Sequence, residues 1–223
     1  MNEMNKENGS QQQAILGSEE LKKRLFHKDI KERLVISPLI SDDFADGTID
    51  IRLGTKYIMT QRTQIPSIDP IESEQEDIYK FLQRVDLPIG SNITIHPRML
   101  ILAATLEYIC LPLNLCASVV TRSTYGRLGL LSATAVHVHP GFRGCLTLEL
   151  VNFGDTAILL YPGIRIAQLI IYNAGDCEAP EAPKYHMVTE PEFPKLWKER
   201  DRKVLRYLKK RAENLKVSST TFF

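Results

Sequence analysis

A succession of short runs rich in β-branched and apolar residues limits what this chain can fold into: TIDIRLG, SNITIHP, ILAATLEYICLP, CASVVT, TAVHVHPGF, CLTLELVNFG, AILLYPG and IRIAQLIIY. Most end in glycine, proline or Pro-Gly, so the chain turns back before a helix could form. Strands that follow one another without intervening helical patterns argue for an all-β barrel or sandwich rather than βαβ units. Within CLTLELVN, Leu146, Leu148 and Leu150 share one face, and Thr147, Glu149 and Val151 the other. Glu149 is the one acid between His137 and Phe153. It is either a plain solvent-facing residue or, if another subunit covers the barrel edge, a dehydrated carboxyl fit for general acid/base work.

The flanks differ in texture. Residues 1–18 are polar and Gln-rich, which predicts a mobile tail. A helical pattern runs over 19–34, with Ser18 of SEEL as its N-cap. The barrel is expected over 19–175, interrupted by an acidic stretch at 69–79 that reads as a surface loop or short helix. Residues 176–194 form a separate C-terminal segment, and 195–223 a basic helix and tail. Between Lys195 and Lys216 ten Lys or Arg stand against three acids, a net +7 in a chain whose total is +1. Val204, Leu205, Leu208, Ala212 and Leu215 recur at three- and four-residue steps, which predicts an amphipathic helix docked by one face. Its cations read as a solvated face in preference to a nucleic-acid or lipid contact, since only Trp197 and Tyr207 interleave with them.

The apolar fraction of 43% and charged fraction of 25% suit a soluble globular protein of one domain with extensions. No run approaches the roughly 20 apolar residues a bilayer needs, and the first residues have no apolar signal core, so no membrane and a cytoplasmic address are expected. Cys110, Cys116, Cys145 and Cys177 show no CxxC spacing and read as reduced packing residues. His137 and His139 share a strand face but lack a third ligand, so no metal site is expected. TRSTYGRLG places Arg122, Ser123, Thr124 and Arg127 between flexible glycines; two guanidiniums, two hydroxyls and free amides suit a polyphosphate, and equally a salt-bridged surface turn.

Taken in order, TIDIRLG, RSTYGRLG, HPGFRGCLTLELVN and YPGIRIAQL resemble the dCTP deaminase family of the dUTPase-like superfamily over roughly residues 20–190. The resemblance implies a distorted all-β dUTPase-like barrel with an N-terminal helix and a C-terminal amphipathic helix, assembled as a homotrimer with sites between subunits. It implies dCTP deamination to dUTP and ammonia, with Glu149 as the catalytic carboxylate and Ser123 and Arg127 positioning water and base. Arg122, Ser123 and Thr124 match the phosphate turn, Gln168 a triphosphate contact, and Lys184 and Tyr185 a C-terminal lid. Thr134, Ala135, His139 and Thr147 fall on the base and sugar pocket. Zinc is not expected, because neither HxE nor PCxxC is present; magnesium would come on the triphosphate. The chain departs from the family pattern at His139, where relatives carry an aspartate for the 3′-hydroxyl. It departs again at 131–134, one residue short, and at Val188, in place of a polar lid residue. A dUTPase or bifunctional, dUMP-forming activity and a non-catalytic nucleotide- or partner-binding role are the alternatives.

Overall fold

The computed structural model describes residues 15–40, 44, 46–61, 64–65, 67–132, 137–175, 177–178 and 187–220, with side chains in the last helix as far as 213. In chain order the elements are α1 (Ser18–Leu25), β1 (Val35–Ser37), β2 (Thr48–Thr60), α2 (Gln75–Phe81), β3 (Leu82–Asp86), β4 (Ile93–Ile95) and β5 (Leu100–Cys110). There follow β6 (Leu115–Thr121), α3 (Ser123–Gly126), β7 (Leu130–Ser132), β8 (His137–Val138), β9 (Arg143–Asn152), β10 (Ile158–Leu160), β11 (Arg165–Asn173) and α4 (Asp201–Thr220). The strands form one curled nine-stranded sheet whose main path runs β7-β9-β5-β2-β11-β6-β8, with β1 on β5 and β3 on β2; β4 and β10 make a separate pair. This is the all-β architecture the strand pattern predicts.

Alternation decides which way each side chain points. Ile49, Ile51 and Leu53 of β2, Leu146, Leu148 and Leu150 of β9, and Ala167 and Leu169 of β11 all enter one core with Leu16, Leu21 and Leu34. The residues between them, Asp50, Glu149 and Gln168 among them, therefore stand on the outer face.

Two expectations need correcting, the first helix and the docking of the basic one. The first helix ends at Leu25, not Leu34, and its N-cap is Gly17, which makes no side-chain cap bond; Ser18 is already helical. Beyond it, Asp29 accepts the Lys31 amide and closes a turn that a helix could not continue through. The acidic stretch does contain a short helix, α2, begun by a capping box between Glu74 and Asp77. The basic helix α4 docks through its arginines, not its apolar stripe. Arg202 is 6% exposed and donates to the carbonyls of Ile71 (2.7 Å) and Ser73. Arg206 binds the Ile71 and Glu72 carbonyls at 2.8 and 3.1 Å. Lys209 reaches Glu72 at 3.2 Å. Val204, Leu205 and Leu208 consequently face solvent. The carbonyls and carboxylates at 69–74 offer cations more than an apolar stripe could gain there. No helix among the described residues is long and apolar enough to cross a membrane.

Candidate active site

The turn at 122–129 leaves β6, crosses to β7 and carries four of the predicted residues. Arg122 caps α3 with extended backbone. Ser123, Thr124 and Arg127 are exposed, and the Arg127 amide donates to the Ser123 carbonyl at 3.0 Å. The turn is locked at its far end by Gly129, whose φ of 88° belongs to glycine. A Cβ there would lie 2.6 Å from the Gly154 nitrogen. The Gly129 carbonyl accepts the Phe153 amide at 2.8 Å. The glycines that read as flexible are thus, at Gly129, a requirement of close backbone approach.

Arg122 and Gln168 come together on the outer face of β2, β6 and β11, and their organiser is Asp50, which the sequence reading passed over. Asp50 lies in register with Gln168, which in turn lies opposite Val120. Its carboxylate takes the Arg122 guanidinium on one oxygen and Arg165 at 3.1 Å on the other. Gln168 donates to Thr48 Oγ1 at 3.0 Å. The signal for Asp50 was present: the alternation of TIDIRL puts Thr48, Asp50 and Arg52 on one face, next to wherever Gln168 pairs.

Glu149 and Thr147 stand together on the outer face of β9, opposite Leu102 and Ala104 of β5. Burial pushes the Glu149 carboxyl above the ordinary glutamate range. Beside Glu149 the same face continues into an apolar row, Leu131, Val151 and Leu100, directly opposed across β7, β9 and β5. Leu131 and Leu100 are 45% and 38% exposed. The Glu149 row crosses β2 at Ile58 and the Gln168 row crosses it at Asp50. Eight residues of β2 separate them, about 26 Å along the strand.

His139 lies between β8 and β9, exposed, with its carbonyl accepting the Phe142 amide across the Pro-Gly turn at 3.2 Å. Its ring meets that of His137 edge-on at 4.8 Å. Among the described residues no three His, Cys, Asp or Glu side chains gather as a metal-holding group. Val188, read as unable to replace a polar lid side chain, acts through its backbone: its carbonyl accepts the Cys145 amide at 2.7 Å. Thr134, Ala135, Lys184 and Tyr185 lie outside the described residues.

The curled β-sheet carries polar clusters on its outer face, and its relatives show which family it belongs to. A family model described as dCTP deaminase-like matches residues 15–174. The chain belongs to that family. A protein of Methanobrevibacter smithii named "dCTP deaminase, dUMP-forming" is 34% identical over 200 residues, covering 86% of this chain and 95% of its own. A "dCTP deaminase" of Halorubrum lacusprofundi is 38% identical over 159 residues, 70% of this chain and 75% of its own. The crystal structure of 2′-deoxycytidine 5′-triphosphate deaminase from Agrobacterium tumefaciens shares the fold, with a TM-score of 0.53 at 21% identity over 72% of this chain and 47% of that one.

Proposed function

We propose that this protein is a dCTP deaminase that works as an assembly of identical chains, a homotrimer in its family's manner, with Glu149 as its acid–base group. The observation that carries this reading is the carboxyl of Glu149, raised by burial on an outer strand face and bordered by the exposed row of Leu100 and Leu131. A neighbouring chain packed on that row would exclude water from Glu149 and bring its own turn at 122–129 to it. Leu128 and Phe153, 58% and 68% exposed, enlarge the apolar surface.

The chemistry follows from the groups. Water attacks C4 of cytosine as the Glu149 carboxylate takes its proton. The same carboxyl then gives that proton to the departing amine, so one water enters and ammonia leaves. A carboxyl held above its ordinary range by burial serves both halves, because it neither keeps nor surrenders the proton too firmly. Ser123 and Arg127 would position the water and polarise the base. Arg122, Thr124, Gln168 and, from the lid, Lys184 and Tyr185 would take the triphosphate with its magnesium. Thr134, Ala135, Thr147 and His139 would line the base and sugar pocket, with His139 giving a single hydrogen bond where relatives give a carboxylate.

A second reading, favoured by the dUMP-forming name of the Methanobrevibacter relative, adds hydrolysis between the α- and β-phosphates. The protein incubated with dCTP and magnesium should release ammonia. Pyrophosphate and dUMP alongside it would establish the dUMP-forming course, and dUTP alone the simple deaminase. Glu149→Gln should retain nucleotide binding and lose at least about two orders of magnitude in rate. Near-normal turnover in that variant would remove Glu149 from its role.

A further inference from the structure

The family match ends at residue 174, and α4, a helix of 20 residues, lies beyond it. The body holds α4 on one side only. Arg202, Arg206 and Lys209 fasten it to the 69–74 loop. Among the described residues, no apolar side chain of the helix joins either buried cluster. Val204, Leu205 and Leu208 are instead 58%, 42% and 51% exposed, and Ala212 is exposed with them. The helix is therefore anchored by its cations while its apolar face stays uncovered.

The spacing of that face limits what covers it. Leu205, Leu208, Ala212 and Leu215 follow one another in steps of three, four and three. These are the a and d positions of two heptads, a seam about 15 Å long. A seam that narrow suits a single partner helix. A lipid surface takes a wider apolar face furnished with Trp or Phe, and the one aromatic residue of α4, Tyr207, falls at c, away from the seam. Beside the seam stand Lys209 and Lys216 at e and Val204 and Arg211 at g, so every charge that flanks it is positive. Lys209 keeps 46% of its side chain exposed while paired with Glu72, and Arg211 is exposed. Two copies of α4 would repel one another. In a parallel pair Arg211 would face Lys216, and in an antiparallel pair each basic flank would face its own kind.

We propose that α4 is a docking helix for a different protein, one that supplies a helix with apolar residues at a and d and Asp or Glu at e and g. The inference goes beyond the reading of the barrel as a dCTP deaminase and does not depend on it. Acidic flanks on the partner would lie across from Lys209, Arg211 and Lys216, which makes charge complementarity the selector. Burial of Leu205 and Leu208 supplies the attraction. Because Arg202 and Arg206 already tie α4 to the body, one of the two helices is formed before they meet. Association then costs less ordering than it would between two free segments.

The test titrates the full-length protein against a dye-labelled synthetic helix of about four heptads, with Leu at every a and d and Glu at every e and g, followed by fluorescence anisotropy. The glutamates keep this probe from pairing with itself. It should bind saturably, one helix per chain, and more weakly as salt rises. A control helix with Lys at every e and g should bind at least about tenfold more weakly. Leu208→Asp should weaken the acidic helix at least about tenfold. Arg211→Glu, a surface exchange that leaves the seam intact, should weaken it about two- to fivefold. Hydrogen-exchange protection of α4 like the parent's shows that both variants keep the helix. No saturable binding, equal binding of the two probes, or indifference to Leu208→Asp overturns the proposal. It is overturned as well if Leu208→Asp abolishes a self-association seen by sedimentation, or retention on vesicles of phosphatidylglycerol, which would make the occupant a second copy or a lipid surface.

Discussion

Replacing Asn152 by alanine should destabilise the fold by about 2–6 kcal/mol, more than its position at the end of a strand would suggest. Asn152 is 0% exposed. Its side-chain amide donates to the carbonyls of Ile95 and Thr156, and its oxygen accepts the Gly154 amide, each at 2.9 Å. Ile95 is also 0% exposed, so its carbonyl finds no water when the donor is removed; leaving such a group unsatisfied costs about 1–3 kcal/mol. The Thr156 and Gly154 groups lie nearer solvent, and each loses roughly the 0.5–1.5 kcal/mol that an ordinary hydrogen bond contributes. Urea unfolding at one fixed protein concentration measures the sum as a lower midpoint with an unchanged slope. Asn152→Asp sharpens the test. It keeps the acceptor for Gly154 but turns a carboxylate toward two carbonyls, which raises its pKa in the folded state. A carboxyl so raised contributes most below its unfolded pKa, and that contribution is lost as pH rises through the folded value. Asn152→Asp should therefore resemble the alanine variant at neutral pH and recover in part in acid, where the protonated group can donate one of the two bonds. A cost below about 1 kcal/mol for alanine, or a pH-independent aspartate variant, would show that water replaces the amide and would refute the reasoning.

Gly129→Ala should cost at least about 2 kcal/mol and depress turnover, because left-handed strain and a backbone clash with Gly154 act on the turn that carries Arg122 and Arg127. Gly126→Ala, with nothing within 4 Å of the new Cβ, should stay within about 0.5 kcal/mol of the parent in the same urea assay. Arg202→Ala should release α4, seen as loss of hydrogen-exchange protection over the helix while the sheet keeps its own. Glu149→Gln should gain stability relative to the parent as pH rises past the ordinary glutamate range. A carboxyl raised by burial favours the folded state below its unfolded pKa and loses that contribution as pH rises through the folded one. A flat difference between parent and variant would show that Glu149 titrates as a solvated group.

The sequence carried much of the sheet and part of the site, for reasons that particular residues make plain. Alternation in TIDIRLG and CLTLELVN was enough to send Ile49, Ile51, Leu146 and Leu148 inward and to leave Asp50 and Glu149 outside, because a strand's period is fixed by its backbone. Amphipathicity in α4 was equally visible, yet it does not say which face meets the body. That depended on the carbonyls of Ile71 and Ser73, some 130 residues away in sequence. The row from Glu149 to Ile58 was hidden for the same reason, since register between non-adjacent strands is a property of the folded sheet. Asp50 and Glu107 are different, for both were legible. Glu107 sits at an inward position of ILAATLEYIC, in step with Ile101, Ala103 and Ile109, where an acid is rarely found unless it is paired.

Glu107 also explains how the sheet accommodates a shift of register. The β5–β9 pairing runs from Ala104 opposite Thr147 to Tyr108 opposite Cys145, so β5 carries two extra residues there. The β2–β5 pairing shifts at the same place, between Leu53 and Tyr57. A bulge strands ladder donors, and a buried amide without a partner is costly. Here side chains take over: the Arg52 amide donates to the Glu107 carboxylate at 2.8 Å, and the Leu146 amide to Thr105 Oγ1 at 2.9 Å. Thr105 in turn donates to the Glu107 carbonyl at 2.8 Å, and the Arg52 guanidinium closes the group on the second carboxylate oxygen at 3.2 Å. Burial still outweighs these bonds and holds the Glu107 carboxyl above its ordinary range. On β2 the bulge falls between Asp50 and Ile58. The polar cluster around Asp50 lies on one side of it and the Glu149 row on the other, so the group built on Thr105 and Glu107 sits between them along β2.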